Sequence, residues 1–420
     1  MSIVLPMFFR NTILFSLASV SLVHGQGRAD FWDLPPIRYS DTASADPLAA
    51  LIEKVERGEV PSESGNGLKR LKFVLKYLDV PPESQALVFS KTSLQNRLIG
   101  PENPRCLYFS ENAYVGYVPG GSIEAIVHDA VLGPVFYLID QKRDGSLNIQ
   151  RDRSECLSCH ATSRTENVPG VLIRSVKVGE DGHALLHLGT DDVNHETPVE
   201  HRWGGWYVTG ESSKPHLGNR IFKDDGDVDP RNKTVKNLKG FFDTSGYVRE
   251  TSDIVSLLVL EHQVKMHNLF NAASMNFRRA SHFMRALDPE ADPMSGSTGR
   301  MAESWADEIV DCLFFKNEAD LGDGVEGDQS FQDTFLKRFP KTSDGDSLAE
   351  FKLYGRIFKN RCSYMVYSDA FKGLPPMLKE IVLRKMRLVI DGESKDVDWL
   401  KGSELKRIDA ILKETLPEWS

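Results

Sequence analysis

The sequence predicts an α+β fold, a strand-rich N-terminal half followed by a mainly helical C-terminal half. Between Gln85 and Gln141, short β-branched and aromatic runs are punctuated by Gly, Pro and Asn, as in a small sheet. From Ser252 onward, apolar residues recur instead at helical spacing. No internal repeat of fixed period interrupts this order.

The elements follow along the chain. Residues 1–25 read as an export signal, with Arg10 as the single charge, an apolar run from Ile13 to Val23, and small residues before a mature start near Gln26. That run is too short to span a bilayer comfortably, since about 20 apolar residues are needed. Residues 26–66, rich in Pro, Asp, Ser and Gly, read as an extended arm with one helix from Pro47 to Arg57. The third region, 67–250, opens with a helix from Gly67 to Leu78 and carries the strands. Val171–Val176 and Ala184–Leu188 are expected to pair as a hairpin around Asp181-Gly182, and Arg202–Gly210 forms an aromatic strand. A polar loop covers roughly 212–250. The fourth region, 251–420, holds helices at 252–286, 301–316, 328–338, 347–360, 374–391 and 402–415.

The 420 residues carry 51 basic and 60 acidic side chains, a net charge of −9 without a massed tail. That balance offers no electrostatic reason to hold nucleic acid or an anionic bilayer. No segment after the first 25 residues is long and apolar enough to cross a membrane. The mature chain is therefore expected in the periplasm or another extracytoplasmic space.

Cys156-Leu157-Ser158-Cys159-His160 is a complete C-x-x-C-H. Two thiols one turn apart can add to the two vinyl groups on one porphyrin edge. The next imidazole then comes under the iron as proximal ligand. A zinc ribbon would need a second C-x-x-C, which is absent, and a thioredoxin-like motif would need a βαβ setting. One covalent haem c on Cys156 and Cys159, with His160 on the iron, is the expected cofactor. Cys106, Cys312 and Cys362 remain, enough for one disulfide whose pairing sequence does not define; Cys312, in an apolar stretch, reads as a buried reduced thiol.

For the distal ligand, the helix at 252–286 places Ile254, Leu258, His262, Met266 and Leu269 along one arc, with His262 near its centre. A buried imidazole needs a partner, and haem iron would be one; a core His bonded to a backbone carbonyl is the other reading. The order of candidates is His262, then Met266, then His267, with Met365 as an outside candidate. Trp203, Trp206 and Tyr207 suit covering a haem face, and core packing explains them equally. Gly322–Gly327 matches G-x-G-x-x-G but follows a helix and is acidic, and Asp225–Asp229 lacks the Gly and Glu of an EF-hand loop.

With these residues in view, the chain resembles a family of large, secreted, mono-haem c-type cytochromes of environmental bacteria. The resemblance rests on Pro35–Ser40, Tyr114–Val118, Leu132–Tyr137, Cys156–Thr165 with Val168-Pro169-Gly170, Arg202–Gly210, Leu260–Gln263 with Met266-His267-Asn268, and Cys362–Met365. These blocks run over nearly all of the mature chain. His201 and Cys312 lie outside them, and no role is expected for either. The resemblance implies haem binding and electron transfer, without a substrate. An exported electron-transfer cytochrome, closed by two axial ligands and served by a redox partner protein, is the leading expectation. A haem enzyme with an open distal site, in which His262 or Tyr207 is an acid/base, and a haem-based sensor are the alternatives.

Overall fold

Two short helices open the described chain. Asp46 caps α1 (Pro47–Glu56) by accepting from the Leu48 and Ala49 amides, and Pro47 fits the first helical turn. Helix α2 (Gly67–Tyr77) buries Leu71, Val74 and Leu75 at helical spacing. The structure, a computed structural model, describes residues 30–60, 67–226, 235–394 and 397–419. The expected export signal lies outside the described residues, and no described helix is long and apolar enough to cross a membrane.

The predicted α+β order holds, with the main sheet in the first half and the longer helices from residue 254 onward. Six strands follow in sequence: β1 (Ala86–Val88), β2 (Arg105–Ser110), β3 (Ala113–Tyr117), β4 (Ile123–Asp129), β5 (Gly133–Gln141) and β6 (Leu147–Asp152). They form an antiparallel meander whose β1 edge is extended by β9 (Trp206–Tyr207). Gly205 makes that addition feasible. Its φ is +78°, a Cβ there would lie 2.8 Å from Ser90, and its carbonyl accepts the Phe89 amide at 2.8 Å.

Register decides what each face carries. Phe109, Tyr114, Ile126 and Phe136 lie side by side across β2 to β5, as do Leu107, Gly116, Glu124 and Leu138. Alternation puts these two rows on one face and leaves Tyr108, Val115, Ala125 and Tyr137 on the other. The second face packs with the arm and with α1 and α2 into one core, through Trp32, Tyr39, Leu51 and Leu75.

The first face looks toward α4 (Ile254–Leu287), 34 residues capped by Asp253, which accepts from the Ser256 amide. Its first half is buried on every side, because it lies between the sheet and a second core. That core also takes in α5 (Gly296–Leu313), α6 (Gln329–Arg338), α7 (Pro376–Ile390) and α8 (Gly402–Thr415). Residues 31–420 form one compact unit.

Three expected elements differ; the aromatic strand expected over Arg202–Gly210 shrinks to Trp206–Tyr207, because Trp203 and Gly205 take φ of +67° and +78° in a turn. The helix expected at 347–360 is a hairpin of β10 (Phe351–Tyr354) and β11 (Arg356–Phe358). Leu353 and Gly355 take φ of +58° and +67°, which no helix tolerates. The expected Val171–Leu188 hairpin is instead a pairing of β7 (Arg174–Val176) with β8 (Thr190–Asp192), reached through a single bridge between Val178 and Ala184. Leu186–Leu188 form a 3-10 turn, closed by Gly189 at φ +88°.

Candidate functional site

The C-x-x-C-H motif sits just beyond the outermost strand. Asp152, the last residue of β6, accepts from the Cys156 amide at 2.9 Å and starts the turn. Helix α3 (Leu157–His160) follows, with the His160 amide donating to the Cys156 carbonyl at 2.9 Å and Leu157 buried as an anchor. One short turn therefore presents two thiols and an imidazole on a common side. Cys159 is exposed, and Cys156 is half-buried with its thiol pushed up to about 12 by burial and the nearby Asp152 carboxylate. All five cysteines are free thiols.

His160 is held by a strap from the opposite side. Its Nδ1 lies 2.9 Å from the Gly170 carbonyl, and the Gly170 amide donates to the His160 carbonyl at 2.8 Å. A carbonyl only accepts, so Nδ1 carries the proton and Nε2 keeps its lone pair. Burial holds this imidazole below its ordinary pKa, and so neutral. The strap is fixed in turn by α4. Asn268 accepts from the Val171 amide and donates to its carbonyl, both at 2.8 Å, and Asn271 donates to the Pro169 carbonyl. Gly170 has no room for a side chain, since a Cβ would lie 2.7 Å from Thr165 and 2.8 Å from Asn268.

Cys156, Cys159 and His160 border a cleft on the first face of the sheet, with about 1300 Å³ of open space including its mouth. Leu107, Ile126, Phe136, Val171, Ile173 and Trp206 supply apolar walls, and α4 contributes Leu260 and Val264. Two cations, Arg105 and Arg174, stand at the same cleft. Arg105 pairs with Glu124 and crosses Gly116, where a Cβ would collide with its guanidinium. Burial would raise the Glu124 carboxyl, but Arg105, Gln95 and Ser93 outweigh it and hold the group low and ionised. Tyr114 reaches the cleft and bonds back to His267 Nδ1 at 2.6 Å.

The distal candidates stand apart from this cleft. His262 and Met266 lie on the other side of α4, in the second core. His262 Nδ1 is 3.2 Å from His195 Nδ1, its Nε2 is 2.7 Å from Ser363 Oγ, and Phe315 stacks on the ring at 4.1 Å. The apolar arc of α4 is real, but it faces the helical core; the cleft meets the Leu260–Val264 stripe of the same helix. His267 borders a small void next to the cleft, shared with Tyr114 and His128, and is not in the cleft lining. Met365 is buried in the helical core. Of the aromatic candidates, Trp206 lines the cleft, whereas Trp203 packs against His216 and Tyr207 against Phe89. Cys156, Cys159 and His160 are the residues that the structure brings together.

Gly170 and Asn268 escaped the sequence reading as working parts. The block Val168-Pro169-Gly170 stood out, but nothing local says that its carbonyl meets an imidazole ten residues earlier. No family model matches this chain, and neither the curated proteins nor the solved structures include a match.

Proposed function

We propose that this protein is an extracytoplasmic redox protein carrying one haem c, attached through Cys156 and Cys159, with His160 as proximal ligand and an open distal side. The observation behind this reading is the His160–Gly170 bond, which fixes the tautomer and leaves Nε2 as a free donor beside two thiols and an apolar cleft. The donor set and the lining fit the group. Cys156 and Cys159 would form the thioethers, and Arg105 and Arg174 would meet the propionate carboxylates. Leu260, Val264 and Trp206 would exclude water from the ring. When bound, the haem supplies one-electron chemistry and, where its sixth position is free, a place for a small ligand.

The distal side decides between uses. Besides His160, the described cleft lining offers neither His nor Met. This favours the enzyme or sensor class over a carrier closed by His262. Tyr114 contributes to the cleft wall, while its hydroxyl is taken up by His267 outside the lining. Electron transfer to a partner protein is the second reading, supported by the exposed Cys159, which would leave one porphyrin edge near the surface.

Mature protein made with a competent maturation system should gain the mass of one covalent tetrapyrrole and a Soret band. Its reduced form should bind carbon monoxide. Absence of the added mass would overturn the haem assignment; a low-spin reduced spectrum indifferent to carbon monoxide would restore the closed electron carrier.

A further inference from the structure

Three side chains from distant segments converge inside the second core. His195 comes from the loop after β8, His262 from the third turn of α4, and Cys312 from the last turn of α5. All three are buried, and one donor atom from each lies within 4.8 Å of the others. The two Nδ1 atoms are 3.2 Å apart. Two nitrogens bound about 2.0–2.1 Å from one tetrahedral ion lie roughly 3.3 Å apart, so the imidazoles already stand at chelating separation.

We propose that His195, His262 and Cys312 form a second metal centre, which takes one divalent ion of the zinc class through two imidazole nitrogens and a thiolate.

The surroundings support this assignment. Ser363 Oγ at 2.7 Å engages His262 Nε2, the outer contact that orients a metal-binding imidazole and leaves Nδ1 as the donor. Ser363 is itself fixed, because its hydroxyl accepts from the Met365 amide and its own amide donates to the Leu313 carbonyl. The His195 loop is pinned through its carbonyl, which accepts from Arg202 at 3.0 Å and from the Ala319 amide at 2.9 Å. Phe315 covers His262 face-on and meets His195 edge-on, which fixes the orientation of both rings.

A thiolate with two imidazoles selects a borderline-soft ion and excludes magnesium and calcium, which demand oxygen donors. Binding replaces the thiol proton of Cys312 by the metal, so one proton is released per ion and no oxidant is needed. Three protein donors leave the fourth position to a small donor such as water. The ion would staple a loop of the strand-rich half to α4 and α5.

The site is independent of the haem reading, and one set of proteins separates them. Full-length mature protein, exposed to Zn2+ and dialysed, should retain one zinc per chain by elemental analysis. The double variant Cys156→Ala/Cys159→Ala should keep that zinc while losing covalent haem. In that haem-free variant, Co2+ should give a thiolate-to-cobalt charge-transfer band. Cys312→Ser should abolish the band and zinc retention, and Cys362→Ser, at another buried thiol, should leave both intact. Ser363→Ala should weaken zinc binding by about 10–100-fold. Should Cys312→Ser fail to fold, the cobalt spectrum of the haem-free variant decides alone. No retained zinc, zinc held equally by Cys312→Ser and His262→Ala, or cobalt bound without the thiolate band would each overturn the assignment, leaving a pair of hydrogen-bonded neutral imidazoles beside a reduced thiol.

Discussion

At Gly170 one missing methyl group decides the geometry of the imidazole that faces the cleft. A Cβ would meet Thr165 at 2.7 Å and Asn268 at 2.8 Å, so the strap would have to move. Gly170→Ala should therefore cost about 1–3 kcal/mol in urea unfolding, as overpacking of a tight site does. On the proposed haem assignment, it should also loosen His160, visible as a broadened or shifted Soret band. An unchanged melt and spectrum would mean that the strap yields freely. Glu318 shows a different residue-scale effect. Burial, opposed by the Ile357 amide and by Arg361, raises its carboxyl to about 7. Below the unfolded value of 4.5 both states hold the proton and nothing is lost. As pH rises toward 7 the unfolded chain ionises first, so stability falls. Above 7 the fold carries a constant penalty of about 1–3 kcal/mol, moderated because the side chain is only partly buried. Glu318→Gln keeps an acceptor for the Ile357 amide, which lies 2.8 Å from Oε1. Urea melts should show the variant more stable than the parent at pH 8 and equal to it near pH 4. A gain of the same size at both pH values would refute this origin.

Helix α4 is the element on which both sites depend. Leu260 and Val264 look into the cleft, Asn268 and Asn271 grip the strap, and His262 looks the other way. Removing the grip with Asn268→Ala strands the Val171 amide and carbonyl, which should destabilise the protein by about 1–3 kcal/mol in denaturant titration. It should also lower the yield of covalently loaded protein; full yield and full stability together would show that the strap stands without it. The existence of α4 was legible, because its apolar residues recur at 3.6 spacing and Asp253 caps it. Which stripe faces which neighbour was not legible. Its first half is buried on nearly every side, so periodicity centred on His262 marks burial but not what the residue is buried against. The reverse failure occurs at 347–360, where apolar spacing imitates a helix and the turn at Leu353 and Gly355 makes a hairpin. The C-x-x-C-H turn could be read from sequence because its chemistry is local. The His195–His262–Cys312 cluster could not, since its members are joined only by tertiary packing.

At the scale of the whole molecule, the sheet separates two cores, and α4 belongs to both: Leu258 and Met266 pack in the helical core, Ala272 and Met275 in the one behind the strands. The buried ion pair of Arg202 with Glu261, at 2.6 Å, ties the loop before β9 to the same helix. Strands β2 to β5 are each flanked on both sides, but β6 has a single hydrogen-bonded neighbour. A ladder bonded along one edge can fray without disturbing the rest, so amide exchange should run faster through Leu147–Asp152 than through Ala113–Tyr117. The C-x-x-C-H turn follows directly on that edge strand. What holds the turn in place is therefore not the strand before it but buried Leu157 and the reciprocal His160–Gly170 bonds, which tie it to α4 through the strap.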